Sequence, residues 1–371
     1  MSPTVLPNHQ AAVLYGPKDL RVDDRTLWPP QHGQAQVAIV ATGLCGSDLH
    51  YYLHGRNGDF ALQAPLVLGH EAAGIVTAVG PGVKNLVPGQ RVAVEAWCRY
   101  NLCKNLRFAS SAKTFPHLDG TLQERMNHPA HVLHPLPDNV SFEEGALAEP
   151  LSVLLHASRR AALSPGQTVL VYGVGTIGLL ACALAKSYGS SRVVAVDINQ
   201  ARLAFAKSHG FADDVFCLPA TPRAKSPEDQ LRKAKENADL LLEVFGEENG
   251  FDVVFECTGA EPCIQMAIHT AITGGRVMLI GMGTRSTSLP LSAAALREVD
   301  IQGSFRYANT YPDALDLLAS RKLQNLDKLV THHFDLSDTA HAFDLLTRGV
   351  DEQGDMVLKI MIGSGTPPSH R

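Results

Sequence analysis

The chain has 371 residues, which exceeds one average domain and predicts two. Its 45% hydrophobic and 19% charged content is typical of a globular protein in water, and no apolar run reaches the roughly 18 residues of a membrane-spanning helix. The net charge of −5, without a basic block, argues against nucleic-acid and membrane partners. The N-terminal residues show no secretory signal, and seven cysteines without a paired framework indicate reduced thiols, so we expect a cytoplasmic protein.

Residues 1–157 are predicted to form a β domain of strands and turns. Runs at 36–40 and 74–79 alternate or are β-branched, and turn signals of glycine and proline follow at 80–82 and 88–89. This pattern predicts many short strands.

Residues 158–301 are predicted to form a second, α/β domain. Strand-like runs at 169–172, 192–197, 251–256 and 276–280 are each joined by a helix-like segment. Repeated βα units imply a doubly wound parallel sheet with its ligand at the carboxyl ends of the strands. The Lys-, Glu- and Pro-containing stretch 221–236 is interpreted as a solvated loop that leads into a surface helix.

Residues 302–371 return to a mixed pattern, with one helix-like stretch at 311–320. We expect this segment to complete the first domain.

A glycine fingerprint follows the first strand-like run of the second domain. Gly173 permits a sharp turn, Gly175 lets the backbone approach a pyrophosphate, and Gly178 allows the helix to pack against the strand. Thr176 and Ile177 open that helix, whose unpaired N–H groups are available to phosphates. Strand, glycine turn and helix in this order predict a dinucleotide site.

An acidic residue supports the same interpretation. Asp197 ends the next apolar run, 19 residues after Gly178. A carboxylate there accepts hydrogen bonds from a ribose diol and repels a 2′-phosphate, which predicts NAD rather than NADP. The alternative is a tight turn followed by a helix cap, but the agreement of spacing, apolar run and acid favours the nucleotide site.

Ligand-type side chains cluster in the first domain. Cys45, His70 and a carboxylate are the donor types of a catalytic zinc that keeps one position open. Each also has a structural explanation, because a buried cysteine is often a small hydrophobe and a Gly-His-Glu turn need bind nothing. Spacing alone leaves both explanations open.

Other histidines are interpreted as structural. His128, His131 and His134 are three residues apart, and in an extended strand such residues point to opposite faces and do not converge on one metal. The same objection applies to His332 and His333.

Several motifs together resemble the zinc-dependent medium-chain dehydrogenases. They are Gly-Leu-Cys-Gly-Ser-Asp-Leu-His at 43–50, Leu-Gly-His-Glu-Ala-Ala-Gly at 68–74, Gly-Ala-Leu-Ala-Glu-Pro-Leu-Ser-Val at 145–153 and Glu-Cys-Thr-Gly-Ala-Glu at 256–261. The stretch 297–312 resembles the polyol branch of that superfamily, the sorbitol, xylitol and arabinitol dehydrogenases. The resemblance implies a GroES-like β-rich catalytic domain, interrupted by a Rossmann NAD-binding domain and completed by the C-terminal residues.

The resemblance also implies residue roles. It implies zinc ligands at Cys45, His70 and Glu71, with Glu149 approaching the metal directly or through its water. Ser47 matches the hydroxyl that passes the substrate proton outward. The other implied site residues are those that line the polyol pocket, Tyr51, Arg306 and Tyr307, and those around the adenosine ribose, Asp197 and Arg202.

The chain departs from the resemblance in two places. The cysteine-rich lobe that closes a structural zinc in many relatives is missing between Glu95 and Arg99, and Cys98 and Cys103 alone cannot form a four-ligand site. We therefore expect one catalytic zinc and no structural zinc. The segment 110–118 also looks longer than the usual loop, at a place expected to face substrate.

The resulting hypothesis is a zinc-dependent enzyme that transfers a hydride from a secondary alcohol of a polyol to NAD⁺, working as a dimer or tetramer. The two altered segments leave open the same chemistry on a non-sugar alcohol. A third alternative is a nucleotide-binding protein without turnover.

Overall fold

Strand pairing and helix packing divide the chain into two compact units. The computed structural model describes residues 8–96, 107–220, 224–283 and 286–363. One unit comprises Met1–Ser152, Ala308–Arg321 and Leu326–Arg371, and the other comprises Val153–Tyr307 and Lys322–Asn325. The domain boundaries predicted after residues 157 and 301 fall a few residues from these divisions.

The described residues of the N-terminal part of the first unit form ten strands. They are β1 (His9–Gly16), β2 (Asp19–Arg25), β3 (Gln34–Gly43), β4 (Arg56–Asn57), β5 (Phe60–Ala61), β6 (Leu66–Val67), β7 (Glu71–Val79), β8 (Arg91–Val94), β9 (Arg125–Pro129) and β10 (Leu133–Pro135). The described helices of this part are α1 (Gly46–His54), α2 (Phe142–Ala146) and the start of α3 (Ala148–Arg160), whose residues from Val153 onward belong to the second unit, with a 3₁₀ turn at Ala130–Val132.

The second unit alternates strands and helices. Its elements are β11 (Thr168–Tyr172), α4 (Thr176–Ser187), β12 (Arg192–Asp197), α5 (Gln200–Ser208), β13 (Asp214–Cys217), α6 (Pro227–Phe245), β14 (Phe251–Glu256), α7 (Glu261–Thr270), β15 (Ala271–Leu279), α8 (Leu291–Ala295) and β16 (Asp300–Gly303). All strand pairs are parallel, in the order β13-β12-β11-β14-β15-β16. This is the strand order of a doubly wound dinucleotide fold.

The chain then returns to the first unit. Its last elements are α9 (Tyr311–Ala319), β17 (Val330–Asp335), α10 (Thr339–Arg348) and β18 (Lys359–Gly363), with 3₁₀ turns at Leu326–Leu329 and Leu336–Asp338. Strand β18 lies between β3 and β17 in the main sheet, whose order is β10-β8-β7-β3-β18-β17, and β9 also pairs with β3. The C-terminal segment thus completes the sheet that the N-terminal segment begins.

The predicted fold class is confirmed, and the structure corrects two local predictions. The first segment is not all β, since it contains helix α1. A glycine marks each end of this helix: Gly46 is its first residue, and Gly55, at φ 64°, is its C-cap and donates its N–H to the Tyr51 carbonyl. The stretch 221–236, predicted to be a loop that leads into a surface helix, does lead into α6, but the helix already begins at Pro227, because Ser226 caps it and Pro227 occupies its first turn.

Each unit has its own apolar core. In the first unit, Tyr51, Phe343 and Ile360 are buried together, so α1, α10 and β18 share one core. In the second, Tyr172 and Phe251 belong to a core between the sheet and its helices. Within the described residues, no helix combines the length and apolar character that crossing a membrane requires.

Candidate metal and cofactor sites

Antiparallel pairing of β3 with β7 brings the predicted metal ligands together. Gly43, the last residue of β3, lies opposite Glu71, the first residue of β7. A side-chain carbon on Gly43 would lie 2.5 Å from a Glu71 carboxylate oxygen, so the glycine leaves room for that side chain. Cys45 follows two residues later at the N-cap of α1, and His70 immediately precedes β7.

The donor atoms of the three predicted ligands converge. One donor atom each from Cys45, His70 and Glu71 lies within 4.8 Å of the others. His70 and Glu71 are buried, and Cys45 is partly exposed. A thiolate, an imidazole and a carboxylate, with an accessible side, match the open site of a catalytic zinc, so the residues present fit the metal.

Ser47 lies against two of these ligands. Its Oγ lies 3.4 Å from the Cys45 sulfur and 3.3 Å from Nε2 of His70. The predicted proton-transferring hydroxyl is therefore adjacent to the donor set.

Asp48 is a residue of the site that sequence reasoning missed. Its carboxylate is fully buried, and Oδ1 lies 3.2 Å from Nδ1 of His70. The Gly69 N–H and the Ser110 hydroxyl donate to the same oxygen, at 3.3 Å and 2.6 Å. Burial alone raises the pKa of Asp48, but the charge of His70 and these donors outweigh it, so the pKa is lowered and the group is a carboxylate.

The Asp48 contact involves one of the predicted ligands. A metal-bound histidine commonly gives its second ring nitrogen to a carboxylate, which fixes the ring and its tautomer. Nδ1 of His70 lies at ion-pair distance from Asp48, although it does not meet the geometry of a hydrogen bond there, and Nε2 is the nitrogen on the side of Ser47. The only signal in the sequence is an aspartate in the first turn of α1, which is also explained by the helix dipole.

Lys359 is a second residue that sequence reasoning missed. Its Nζ lies 2.7 Å from Oε2 of Glu71 and donates to the Leu44 carbonyl at 2.9 Å. The two charged side chains are 4% and 1% exposed. Burial lowers the pKa of Lys359, but the Glu71 carboxylate outweighs it, with help from Cys45 and Glu149, so the net pKa is raised and the lysine is charged.

The remaining predicted residues of the metal and substrate site lie outside the group formed by Cys45, His70 and Glu71. Glu149 is buried in the first turn of α3, outside the three-atom donor set, and its charge acts on Lys359. Tyr51 is 2% exposed, and its hydroxyl accepts a hydrogen bond from the Ala112 N–H at 3.0 Å. Arg306 and Tyr307 belong to the other unit, where the Arg306 guanidinium stacks on a neighbouring phenylalanine ring.

The glycine fingerprint forms the turn between β11 and α4. Gly173 has a left-handed φ of 89°, and a side-chain carbon there would lie 2.6 Å from a methyl group of Thr258. Gly175 is the N-cap residue of α4, and Thr176, Ile177 and Gly178 form its first turn. The turn therefore leaves the helix N-terminus accessible to an anion.

Asp197 lies at the end of β12, next to this turn. Its carboxylate accepts hydrogen bonds from the Val174 N–H at 2.7 Å and the Asn199 N–H at 2.9 Å. Arg202 lies in the first turn of α5, and its buried Nε has no hydrogen-bond partner within the described part of the chain. The acid thus contacts the fingerprint turn directly, and the guanidinium lies on the helix that follows Asp197.

Glu256, at the end of β14, shapes the other side of the turn. Its fully buried carboxylate accepts hydrogen bonds from the N–H groups of Thr258 and Gly259, at 2.8 Å and 3.0 Å, and from the Thr258 hydroxyl. Because Thr258 packs against Gly173, Glu256 fixes the loop that borders the fingerprint. Burial raises the pKa of the neighbouring Cys257 well above its ordinary value, which agrees with a packing role and not with a nucleophile.

Among the described residues, the other histidines do not converge with further ligands. Nε2 of His128 lies 2.8 Å from the Glu95 carbonyl oxygen, and Nε2 of His134 lies 2.6 Å from its carboxylate. Burial lowers the pKa of His128 to about 4, so the ring is neutral at neutral pH. Across the described ranges, Cys45, His70 and Glu71 are the one group of three or more such side chains placed to hold a metal.

The prediction that the chain lacks a structural zinc depends on Cys98 and Cys103. Both lie outside the described residues.

Two family models match the chain. The alcohol dehydrogenase GroES-like domain matches residues 31–138, and the zinc-binding dehydrogenase family matches residues 176–320. Human sorbitol dehydrogenase is 40% identical over 373 residues, which cover 98% of each chain.

Solved structures show the same fold. L-Idonate 5-dehydrogenase from Escherichia coli has a TM-score of 0.83 at 26% identity and covers 98% of this chain and 100% of its own. An alcohol dehydrogenase from Escherichia coli, solved with NADH, has a TM-score of 0.82 at 26% identity, with coverage of 97% and 100%. The chain therefore belongs to the zinc-dependent medium-chain dehydrogenases and, within them, to the polyol branch.

Proposed function

We propose that this chain oxidises a secondary alcohol of a sorbitol-, xylitol- or arabinitol-type polyol to a ketose. The reaction converts the alcohol and NAD⁺ into a ketone, NADH and a proton. The convergence of the donor atoms of Cys45, His70 and Glu71 carries this proposal, because a redox-inactive metal site in a dehydrogenase serves to activate the alcohol oxygen. Relatedness to sorbitol dehydrogenases over nearly the whole chain supports the substrate class and an NAD-dependent dehydrogenase.

The metal is proposed to be one zinc held by Cys45, His70 and Glu71, with Glu149 as the group that approaches it directly or through water. A bound zinc supplies Lewis acidity, which lowers the pKa of an alcohol oxygen and later polarises the ketone. Asp48 holds the His70 ring in orientation, and Lys359 holds the Glu71 carboxylate.

Ser47 is proposed to receive the proton of the substrate hydroxyl and pass it outward. Its hydroxyl is both donor and acceptor, and it already lies within 3.4 Å of two ligand atoms. A serine with this placement can release one proton as it accepts another.

The cofactor is proposed to be NAD. Gly173, Gly175 and the first turn of α4, Thr176 to Gly178, bind the pyrophosphate, and Asp197 accepts hydrogen bonds from the adenosine ribose. Arg202 supports this assignment, because its buried Nε is a donor without a protein partner in the described chain.

Tyr51, Arg306 and Tyr307 are proposed to recognise the polyol. A guanidinium offers several fixed donors to a hydroxyl-rich chain, and a tyrosine hydroxyl can donate and accept. The Tyr51 hydroxyl, held by the Ala112 N–H, is positioned to give its own proton to another acceptor.

The protein is also proposed to be a cytoplasmic dimer or tetramer. The described cysteines are free thiols, which is typical of a reducing compartment. Strand β16 ends the parallel sheet with only β15 as its neighbour in the described chain, and an edge strand is a template for pairing with another copy. The large apolar residues Leu291 and Leu296, just before β16, are 64% and 86% exposed.

Metal content and one ligand variant test the central claim. We expect elemental analysis to find about one zinc per chain. We also expect Cys45→Ser to abolish turnover. The NAD dissociation constant of this variant should stay within about twofold of the wild-type value, because the proposed ligands and the glycine fingerprint belong to different units. No zinc in a chain that still binds NAD would favour a nucleotide-binding protein without turnover. Two zincs would contradict the absence of a structural site.

A substrate panel tests the alcohol. With NAD⁺ as acceptor, we expect turnover of sorbitol, xylitol or arabinitol, measured by NADH absorbance, and a much lower kcat/KM with NADP⁺ because Asp197 repels a 2′-phosphate. Turnover of a hydrophobic secondary alcohol, with none of the three polyols, would instead assign a non-sugar substrate.

The Lys359–Glu71 pair predicts a stability effect that depends on the metal. Lys359→Met leaves a buried carboxylate without its cation, so we expect the free energy of unfolding of the zinc-free protein to fall by about 3–5 kcal/mol. Zinc supplies positive charge to Glu71, so the loss measured by urea unfolding should be smaller in the zinc-loaded protein. Equal losses with and without zinc would show that Glu71 is not a ligand.

Light scattering tests the assembly. We expect a dimer or tetramer at micromolar concentration, and a shift to smaller species in Leu296→Glu because the charge interrupts an apolar contact. The control is Val87→Glu, at an exposed apolar residue of the other unit, where Val87 is 62% exposed. A monomeric wild-type protein would contradict the proposal.

A further inference from the structure

The segment 108–112 is attached to the metal centre by side chains. The Phe108 ring lies 5.4 Å from the His70 ring, measured between centroids. The Ser110 hydroxyl donates to Asp48, and the Ala112 N–H donates to the hydroxyl of Tyr51. Its residues 110–112 open the segment 110–118, which the sequence predicts to be longer than the usual loop.

Ser110 has an unusual backbone. Its φ of 61° lies in the left-handed region, and the side chain is 4% exposed. A non-glycine residue in this conformation costs about 1–3 kcal/mol and persists only where its surroundings hold it. Here the Ser110 N–H donates to the Leu118 carbonyl at 3.0 Å, and Ser111 forms a β-bridge with the same Leu118.

The left-handed turn directs the Ser110 hydroxyl at Asp48. At 2.6 Å, this is the shortest of the three contacts to Oδ1, the others being 3.3 Å from the Gly69 nitrogen and 3.2 Å from Nδ1 of His70. Oδ2 of Asp48 is buried and has no partner in the part of the chain that the structure describes. The contacts that fix the Asp48 carboxylate are therefore all made by Oδ1, and the Ser110 hydroxyl is the closest donor to that oxygen.

We propose that Ser110 is a positioning residue for the metal centre: its hydroxyl holds the Asp48 carboxylate against His70, and so keeps the imidazole in the orientation that binds zinc. The inference rests on the proposed zinc site. Without the hydroxyl, the carboxylate can rotate and the ring loses its fixed partner. Changes in such supporting groups lower metal affinity about 10–100-fold, and Ser110 acts one contact further out, so about tenfold is expected.

Zinc affinity of the full-length protein tests this, measured by competition with a chelator of known affinity. Ser110→Ala removes the hydroxyl at the same left-handed φ, and Ser110→Gly removes it while relieving the strain. We expect both variants to raise the zinc dissociation constant about tenfold. The matched control is Ser111→Ala, whose hydroxyl accepts from the Lys113 N–H, and it should leave the constant unchanged.

A double-mutant cycle separates a positioning role from a general loss of structure. If Ser110 acts through Asp48, Ser110→Ala adds no further loss of zinc affinity in an Asp48→Asn background. A full additional tenfold loss there would overturn the proposal. A zinc dissociation constant unchanged from wild type in Ser110→Ala would also overturn it. An unchanged zinc dissociation constant in Ser110→Gly would overturn it too, because the effect of Ser110→Ala would then come from backbone strain.

These outcomes are distinct from failure of the proposed function. A wild-type chain that binds no zinc would refute the metal site itself. A wild-type chain that binds zinc, with Ser110→Ala and Ser110→Gly unchanged, would refute only the role of Ser110. Should Ser110→Ala fail to fold, Ser110→Gly supplies the same comparison, since it removes the hydroxyl and the strain together.

Discussion

The pairing of β3 with β7 is the constraint on which the proposed metal centre depends. Residues directly opposite in an antiparallel ladder are fixed relative to one another, so Gly43 opposite Glu71 places the turn that carries Cys45 beside the turn that carries His70. A one-residue slip would turn every side chain of β7 to the other face of the sheet. The register of β3 and β7 therefore brings Cys45, His70 and Glu71 together, and the buried side chains Asp48 and Lys359 then contact His70 and Glu71.

The sequence predicted the ligands but not their partners. Cys45 and His70 are recognisable by residue type and by the motifs around them, which a local pattern can show. The roles of Asp48 and Lys359 depend on contacts across 22 and 288 positions of the chain, since Asp48 meets His70 and Lys359 meets Glu71. A lone acid or lysine carries no local signal of such a partner, and only the folded sheet supplies it.

The fold was predictable where the alternation of strand-like and helix-like segments and the positions of turn glycines indicate the same structure. The βα alternation and the Gly173 turn gave the doubly wound unit, because both are local properties. Helix α6 was predicted to be partly a loop because its first turns are rich in charge. Its buried Ala234, Ala238 and Leu241 form a sparse apolar stripe on an otherwise polar helix, and packing of that stripe, rather than composition, decides the conformation.

The interruption of one unit by the other has a consequence for synthesis on the ribosome. Strand β18 fills the place between β3 and β17, and it carries the cation that balances Glu71. A nascent chain that has emerged only as far as the parallel-sheet unit has an incomplete main sheet, and its Glu71 lacks the counter-charge of Lys359. The parallel-sheet unit is contiguous but for residues 322–325, so it can acquire nearly all its contacts first, and the metal-binding half matures after the last strand is translated.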